Sequence, residues 1–239
     1  MTAPLDEVWV YLSASPLAAL TLTLVAYQAG FWLYRKAGFH PLVNPVLIAV
    51  ALIAGLLLVS GTPYATYFDG AQFVHFLLGP ATVALALPLY RQLEKVRRSA
   101  LAILASLLAG SLTAAVSAVG VAMALDASRE TLASLAPKSV TAPVAMGVSE
   151  ALGGLPSLTA VLVILTGILG AAFGPLVLDL IGVRDWRARG FAIGVASHGI
   201  GTSRALQVNE TAGAFSGLAM GLNAVATAVL LPLIWRLFF

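Results

Sequence analysis

Ser134-Leu-Ala-Pro-Lys-Ser-Val-Thr-Ala-Pro143 is the stretch that decides how this chain folds. Pro137 and Pro143 each remove a backbone donor and interrupt a helix. Between them Lys138 carries a full charge, and Ser139 and Thr141 add hydroxyls. On either side lie long apolar runs, residues 99–125 and 157–181. Each exceeds the roughly 20 apolar residues that a membrane-spanning helix needs. A broken, polar segment enclosed by two membrane spans must itself be explained at membrane depth.

The composition agrees with that setting. The chain has 239 residues, 60% of them hydrophobic and only 10% charged. A soluble domain carries roughly a quarter charged residues. The chain reads as an all-α polytopic membrane protein, one integral membrane domain over residues 1–239. Further uninterrupted spans are expected at 16–34, 45–61 and 212–237, which makes about five. Three segments are broken by Gly, Pro and hydroxyl residues: 71–90, 132–155 and 191–208. Residues 1–43 read as a peripheral first helix and 44–239 as the core.

Several chemistries are excluded. There is no Cys, so no disulfide, thiolate metal site or catalytic thiol. His40, His75 and His198 are scattered, which does not suit a zinc centre. No Walker A loop, H-E-x-x-H motif or G-x-S-x-G elbow appears, so no ATP-driven or enzymatic reading is favoured and no cofactor is expected. The net charge of +3 reports topology rather than nucleic-acid binding. Asp6 and Glu7 occupy the place of a basic n-region, so the N-terminus does not read as a secretory signal.

Nine of the 13 Lys and Arg residues fall in three loops: Arg35 and Lys36; Arg91, Lys95, Arg97 and Arg98; and Arg184, Arg187 and Arg189. The positive-inside rule places these loops in the cytoplasm and the N-terminus outside. Helix 99–125 then runs outward and helix 157–181 runs inward. The segment between them must begin and end outside. It reads as a re-entrant hairpin of two half-helices turning near residues 138–143; a distorted span overriding the charge rule is the alternative. Segment 191–208 has similar length, begins inside, and is expected as its mirror image in an inverted repeat, a common plan of secondary transporters. Whether it crosses or turns back is open. Arg236 favours a crossing, with the C-terminus inside.

Non-helical backbone at membrane depth is tolerated only inside protein or along a wet cavity. The broken segments therefore supply the candidate site. Half-helix N-termini suit an anion, and an intramembrane Lys138 is a functional candidate by default. Lys138 could equally snorkel to a headgroup, and Ser139 and Thr141 could bond backbone carbonyls. The second cluster is Ala196-Ser-His-Gly-Ile-Gly-Thr-Ser-Arg204. Ser197, His198, Thr202 and Arg204 are its candidates. His198 could relay a proton or be satisfied by a neighbouring carbonyl. Arg204 could clamp a carboxylate or pair with Glu150 or Glu210. Gln72, Thr82 and Glu150 are candidate path-lining groups, as is Asn44, which also reads as an N-cap. Tyr64 and Tyr67 suit an interfacial belt, and Asn223 suits helix–helix contact.

The chain resembles the LrgB (CidB/LrgB) family. The matching stretches begin with Asn44-Pro45, Gly61-Thr-Pro-Tyr-Ala-Thr-Tyr-Phe-Asp-Gly-Ala-Gln72 and Leu77-Leu-Gly-Pro-Ala-Thr-Val-Ala-Leu-Ala-Leu-Pro-Leu-Tyr90. They continue with the 134–143 stretch, Gly153-Gly154, Leu165-Thr-Gly-Ile-Leu-Gly170, Ala188-Arg-Gly190 and Ser197-His-Gly-Ile-Gly-Thr202. One departure is Ala142, where the family more often has a second Thr. The resemblance implies a stand-alone bacterial member in the cytoplasmic (inner) membrane. Such proteins are described as holin-like or antiholin-like modulators of murein hydrolase export and lysis, beside a small LrgA/CidA-type partner. Plastid relatives look like glycolate/glycerate transporters, and some bacterial members are linked to pyruvate uptake. The expected activity is secondary, alternating-access transport of a small carboxylate, with a proton or Na+ as candidate coupling ion and a homodimer as candidate assembly. The holin-like role is the alternative.

Overall fold

The computed structural model describes residues 16–39, 43–76, 90 and 93–238. Among them every regular element is a helix. Two compact units divide the chain, residues 1–84 and 85–239. Thr82 and most of segment 71–90 lie outside the described residues.

The first unit holds α1 (Pro16–Lys36), α2 (Pro45–Ser60) and α3 (Tyr64–Phe76). Asn44 starts α2: its Oδ1 accepts from the N–H of Val46 at 2.8 Å and of Leu47 at 3.2 Å, satisfying donors that have no partner within the helix. Gly61 ends it in the left-handed conformation, φ 64°. The 16 residues of α2 give about 24 Å at 1.5 Å per residue, shorter than the other apolar helices. Tyr67 meets Thr23 of α1 through a 2.7 Å hydroxyl contact.

The second unit runs α4 (Leu93–Arg98), α5 (Ala100–Ala124), α6 (Arg129–Leu135), α7 (Ala142–Ala151), α8 (Pro156–Leu180), α9 (Trp186–Val208) and α10 (Glu210–Phe238). Among the described residues, α1, α5, α8 and α10 are long and apolar enough to cross a membrane. Large apolar side chains on their outer faces, such as Leu101, Val116, Leu169 and Val225, are exposed. That pattern suits lipid rather than water as the surrounding solvent. The protein is an all-α membrane protein.

Prolines 137 and 143 act as expected. α6 and α7 are half-helices separated by an irregular turn at 136–141. The hydroxyl of Ser134 accepts from the N–H of Leu155 at 2.7 Å, so the chain leaves and returns at one level. Thr159 closes this mouth: its hydroxyl lies 2.7 Å from Ser149 Oγ and 3.0 Å from the carbonyl oxygen of Ser134. The segment is a re-entrant hairpin.

α9 is a second hairpin. Its helical path breaks at His198, with φ 40° and ψ −135°. Ile193 from the limb before the break and Ala205 from the limb after it share one buried cluster with Leu178 and Ala212. The limbs are therefore folded side by side. This answers the crossing question: residues 191–208 turn back. α10 then starts where α9 began and runs parallel to α5, with Leu107 clustered with Ala219 and Ala122 with Leu231 and Trp235. The C-terminus emerges at the end where the first hairpin enters, so the crossing that Arg236 favoured does not occur. The two hairpins thus enter from opposite ends. Close approach of α9 to α10 requires Gly194, because a Cβ there would collide with the carbonyl oxygen of Ser216. Small residues serve this purpose at membrane helix interfaces.

Candidate functional site

The hairpin tips meet at the middle of α10. Asn223, 1% exposed, donates Nδ2 to the carbonyl of Val195 at 3.0 Å and of Ser139 at 3.4 Å. Both partners only accept, so the amide orientation is fixed by them. One side chain thereby holds a carbonyl from each hairpin. On the opposite flank, α8 does the same by packing. Val163 clusters with Val140 and Ala145 of the first hairpin, and its carbonyl lies 2.9 Å from His198 Nε2. A carbonyl cannot donate, so Nε2 carries the proton. The His198 ring rests where a Cβ on Gly167 would stand, 2.7 Å from Cε1.

His198 bears a positive φ, a conformation that costs a non-Gly residue about 1–3 kcal/mol. The surrounding bonds hold it there. Thr202 donates to the His198 carbonyl at 2.7 Å and meets Ser216 Oγ at 2.9 Å. Ser197 is fully buried against the bare backbone of Gly170.

Lys138 is half-buried at the first tip, and its Nζ bonds Ser139 Oγ at 3.2 Å. Among the described residues no carboxylate pairs with it. Thr141 occupies the N-cap position of α7 without a side-chain capping bond, so its hydroxyl is not consumed there. Lys138, Ser139, Thr141, Ser197, His198 and Thr202 therefore belong to one tip region.

The remaining candidates lie elsewhere. Arg204 is half-buried on the returning limb, about 9 Å along the axis from His198 at 1.5 Å per residue. Glu150 is exposed near the end of α7, at the mouth of the first hairpin. Asn44 caps α2, and Gln72 is exposed on α3 with Nε2 donating to the Asp69 carbonyl at 2.7 Å. No three His, Cys, Asp or Glu side chains converge as a metal set among the described residues.

Two cavities flank α5. One of about 300 Å³ reaches from Trp235 down to Ser139 and Asn223. The other, about 720 Å³, extends from Asp185 and Arg187 to Val195. Among the described residues, Ser139 is the one sequence-predicted site residue that lines either. Asn223, which joins both hairpins, is the residue sequence reasoning undervalued; its signal was a lone amide in the middle of an apolar helix.

Similar proteins place this architecture. The LrgB-like family matches residues 23–237. The uncharacterized protein YxaC of Bacillus subtilis is 38% identical over 219 residues, covering 92% of this chain and 95% of that protein. The holin-like protein CidB of Staphylococcus epidermidis is 36% identical over 220 residues, 92% of this chain and 96% of its own length. CidB of Staphylococcus aureus (strain Mu50) is 34% identical over 223 residues, 93% and 97% respectively. No solved structure matches. With a family match over nearly its whole length and relatives above 30% identity across nine-tenths of it, the chain belongs to the LrgB family.

Proposed function

We propose that this membrane protein moves a small carboxylate across the bacterial cytoplasmic membrane by alternating access. The observation that carries the reading is the meeting of two oppositely entering hairpins at Asn223, beside a Lys138 with no carboxylate partner among the described residues. α7 and the second limb of α9 both begin at the tips, and helix N-termini favour anions. Lys138, Ser139, Thr141 and Thr202 are the groups offered to a carboxylate. Ser197 and His198 support the second tip. Arg204 stands further along the exit, and Glu150 or a bound Na+ would enter only as coupling elements. The loops rich in Arg and Lys face the cytoplasm and the N-terminus faces outward. Purified protein in liposomes should take up labelled pyruvate, glycolate or glycerate with saturation.

A second reading is favoured by the relatives themselves. Two of them are holin-like proteins named CidB. On this reading the chain modulates murein hydrolase export and lysis, with a small LrgA/CidA-type membrane protein as partner, and assembles as a homodimer or larger array. Passage of large dyes through liposomes, without saturable carboxylate uptake, would favour it.

A further inference from the structure

The larger cavity is a slot between α5 and the first limb of α9, wholly within the second unit. Its rim is built from small residues. Ala102, Ser106 and Ala109 of α5 and Ala188, Ala192 and Ala196 of α9 line it, and all six are exposed. Each set recurs at helical spacing and so forms one stripe. The floor is Phe191 and Val195 with Phe215 of α10, all buried. Elsewhere the outer faces of the spans carry large side chains such as Leu101, Leu169 and Val225. Here the small rim leaves a gap over an apolar floor. A gap of this kind forfeits dispersion contacts unless atoms fill it, and at membrane depth the surrounding solvent is hydrocarbon.

The slot is as long as one leaflet is deep. From Arg187 to Ala196 its lining on α9 covers about 14 Å at 1.5 Å per residue. Half of the hydrocarbon core measures roughly 15 Å. The slot thus starts among charges and ends beside the hairpin tip.

Ser99, Asp185 and Arg187 line the charged end. Asp185 is already engaged there. As N-cap of α9 it accepts the Arg187 N–H at 2.8 Å, and it also accepts Arg187 Nε at 3.1 Å. The two charges of that pair cancel. Arg184, beside it, and Arg97, two residues before Ser99, are exposed. No carboxylate among the described residues pairs with either. Trp186 is exposed as well, with the Arg189 guanidinium 5.3 Å from its ring centre. Tryptophan and basic residues together mark the headgroup level. The mouth of the slot therefore carries surplus positive charge at the membrane surface.

We infer that this slot seats one acyl chain of an anionic glycerophospholipid, with the lipid phosphate at the mouth among Arg97, Arg184, Arg187 and the Ser99 hydroxyl. Basic clusters at the membrane surface attract anionic headgroups. The chain packs on Phe191 and Val195, so the lipid braces the limb that leads to the break at His198. This binding does not depend on the carboxylate reading.

The test is to titrate the purified protein, in mild detergent, with dioleoyl phosphatidylglycerol or dioleoyl phosphatidylcholine. Native mass spectrometry and thermal melting are the readouts. The wild type should keep one phosphatidylglycerol per chain after other lipid is stripped, and keep phosphatidylcholine less well. Ala192→Phe fills the slot and should lose that molecule, whereas Val225→Phe, on an outer face away from it, should keep it. Arg97→Gln combined with Arg184→Gln should lower phosphatidylglycerol retention by about tenfold or more and abolish the preference over phosphatidylcholine. Phosphatidylglycerol should raise the melting temperature of the wild type and of Val225→Phe, and leave that of Ala192→Phe unchanged. Position 192 is exposed, so Ala192→Phe without lipid should melt as the wild type does. Ser106→Phe fills the slot from the other wall and repeats the test independently. Unchanged phosphatidylglycerol retention in both filling variants, or equal retention of the two lipids by the wild type, would overturn the proposal. A dimer that both filling variants break, with no lipid retained by the wild type, would overturn it in favour of a second copy in the slot.

Discussion

Asn223 donates its Nδ2 to the carbonyl of Val195 at 3.0 Å, three residues before the point where α9 breaks. The same nitrogen reaches the carbonyl of Ser139 in the other hairpin. Broken helices leave backbone acceptors without their usual partners, and at membrane depth there is no bulk water to replace them. One amide supplies a donor to both breaks. Asn223→Ala removes it from two carbonyls at once. A buried group left unsatisfied costs about 1–3 kcal/mol. Asn223→Ala should lower the melting temperature in detergent more than Ala224→Gly, a neighbouring loss without a polar partner.

His198 tests the second break in a different way. Its φ of 40° is one that glycine adopts freely. Its ring also bonds Val163. His198→Gly relieves the strain and loses the bond, whereas His198→Ala loses the bond and keeps the strain. Thermal unfolding should therefore rank wild type above His198→Gly, and His198→Gly above His198→Ala. An alanine variant as stable as the glycine variant would show that the break is not strained.

Gly167 is the floor under the His198 ring. A Cβ there would stand 2.7 Å from Cε1, and overpacking of this kind costs about 1–3 kcal/mol. Gly120 has nothing within 4 Å of an added Cβ. Gly167→Ala should destabilise and displace the second tip, while Gly120→Ala is tolerated. Comparing the two in one melting series separates close approach from any general effect of glycine.

Thr159 ties the mouth of the first hairpin. Its hydroxyl lies within bonding distance of Ser149 Oγ and of the carbonyls of Ser134 and Leu155. Thr159→Val keeps the shape and removes the hydroxyl. The expected loss is about 1–3 kcal/mol. Faster proteolysis of residues 152–155 in the variant would locate that loss at the mouth.

Much of this was legible in sequence because lipid constrains backbone severely. The apolar runs gave the long helices to within a few residues, and Pro137 and Pro143 gave the first break. The basic residues at 184, 187 and 189, set against those at 91–98, gave the direction of the first hairpin. The second hairpin was harder. Its break falls at His198 rather than at a proline, and Gly199 and Gly201 only permit a turn. Arg236 pointed to a crossing that does not occur, because one basic residue near a terminus weighs little against hairpin topology. Asn223 was hidden for a different reason. Its importance comes from carbonyls 84 and 28 residues away, which no local pattern reveals. Likewise Lys138 and His198 were legible as polar groups at membrane depth, while the cavities along α5 depend on which faces the hairpins leave uncovered.

The most direct test of the transport account is uptake of labelled glycolate, glycerate and pyruvate into liposomes holding the purified protein, measured beside Lys138→Ala. The account predicts saturable uptake of at least one of these carboxylates, lost in Lys138→Ala while the variant still inserts and retains its melting temperature. Leakage that rises linearly with solute concentration, passes large dyes and is unchanged in Lys138→Ala would contradict it.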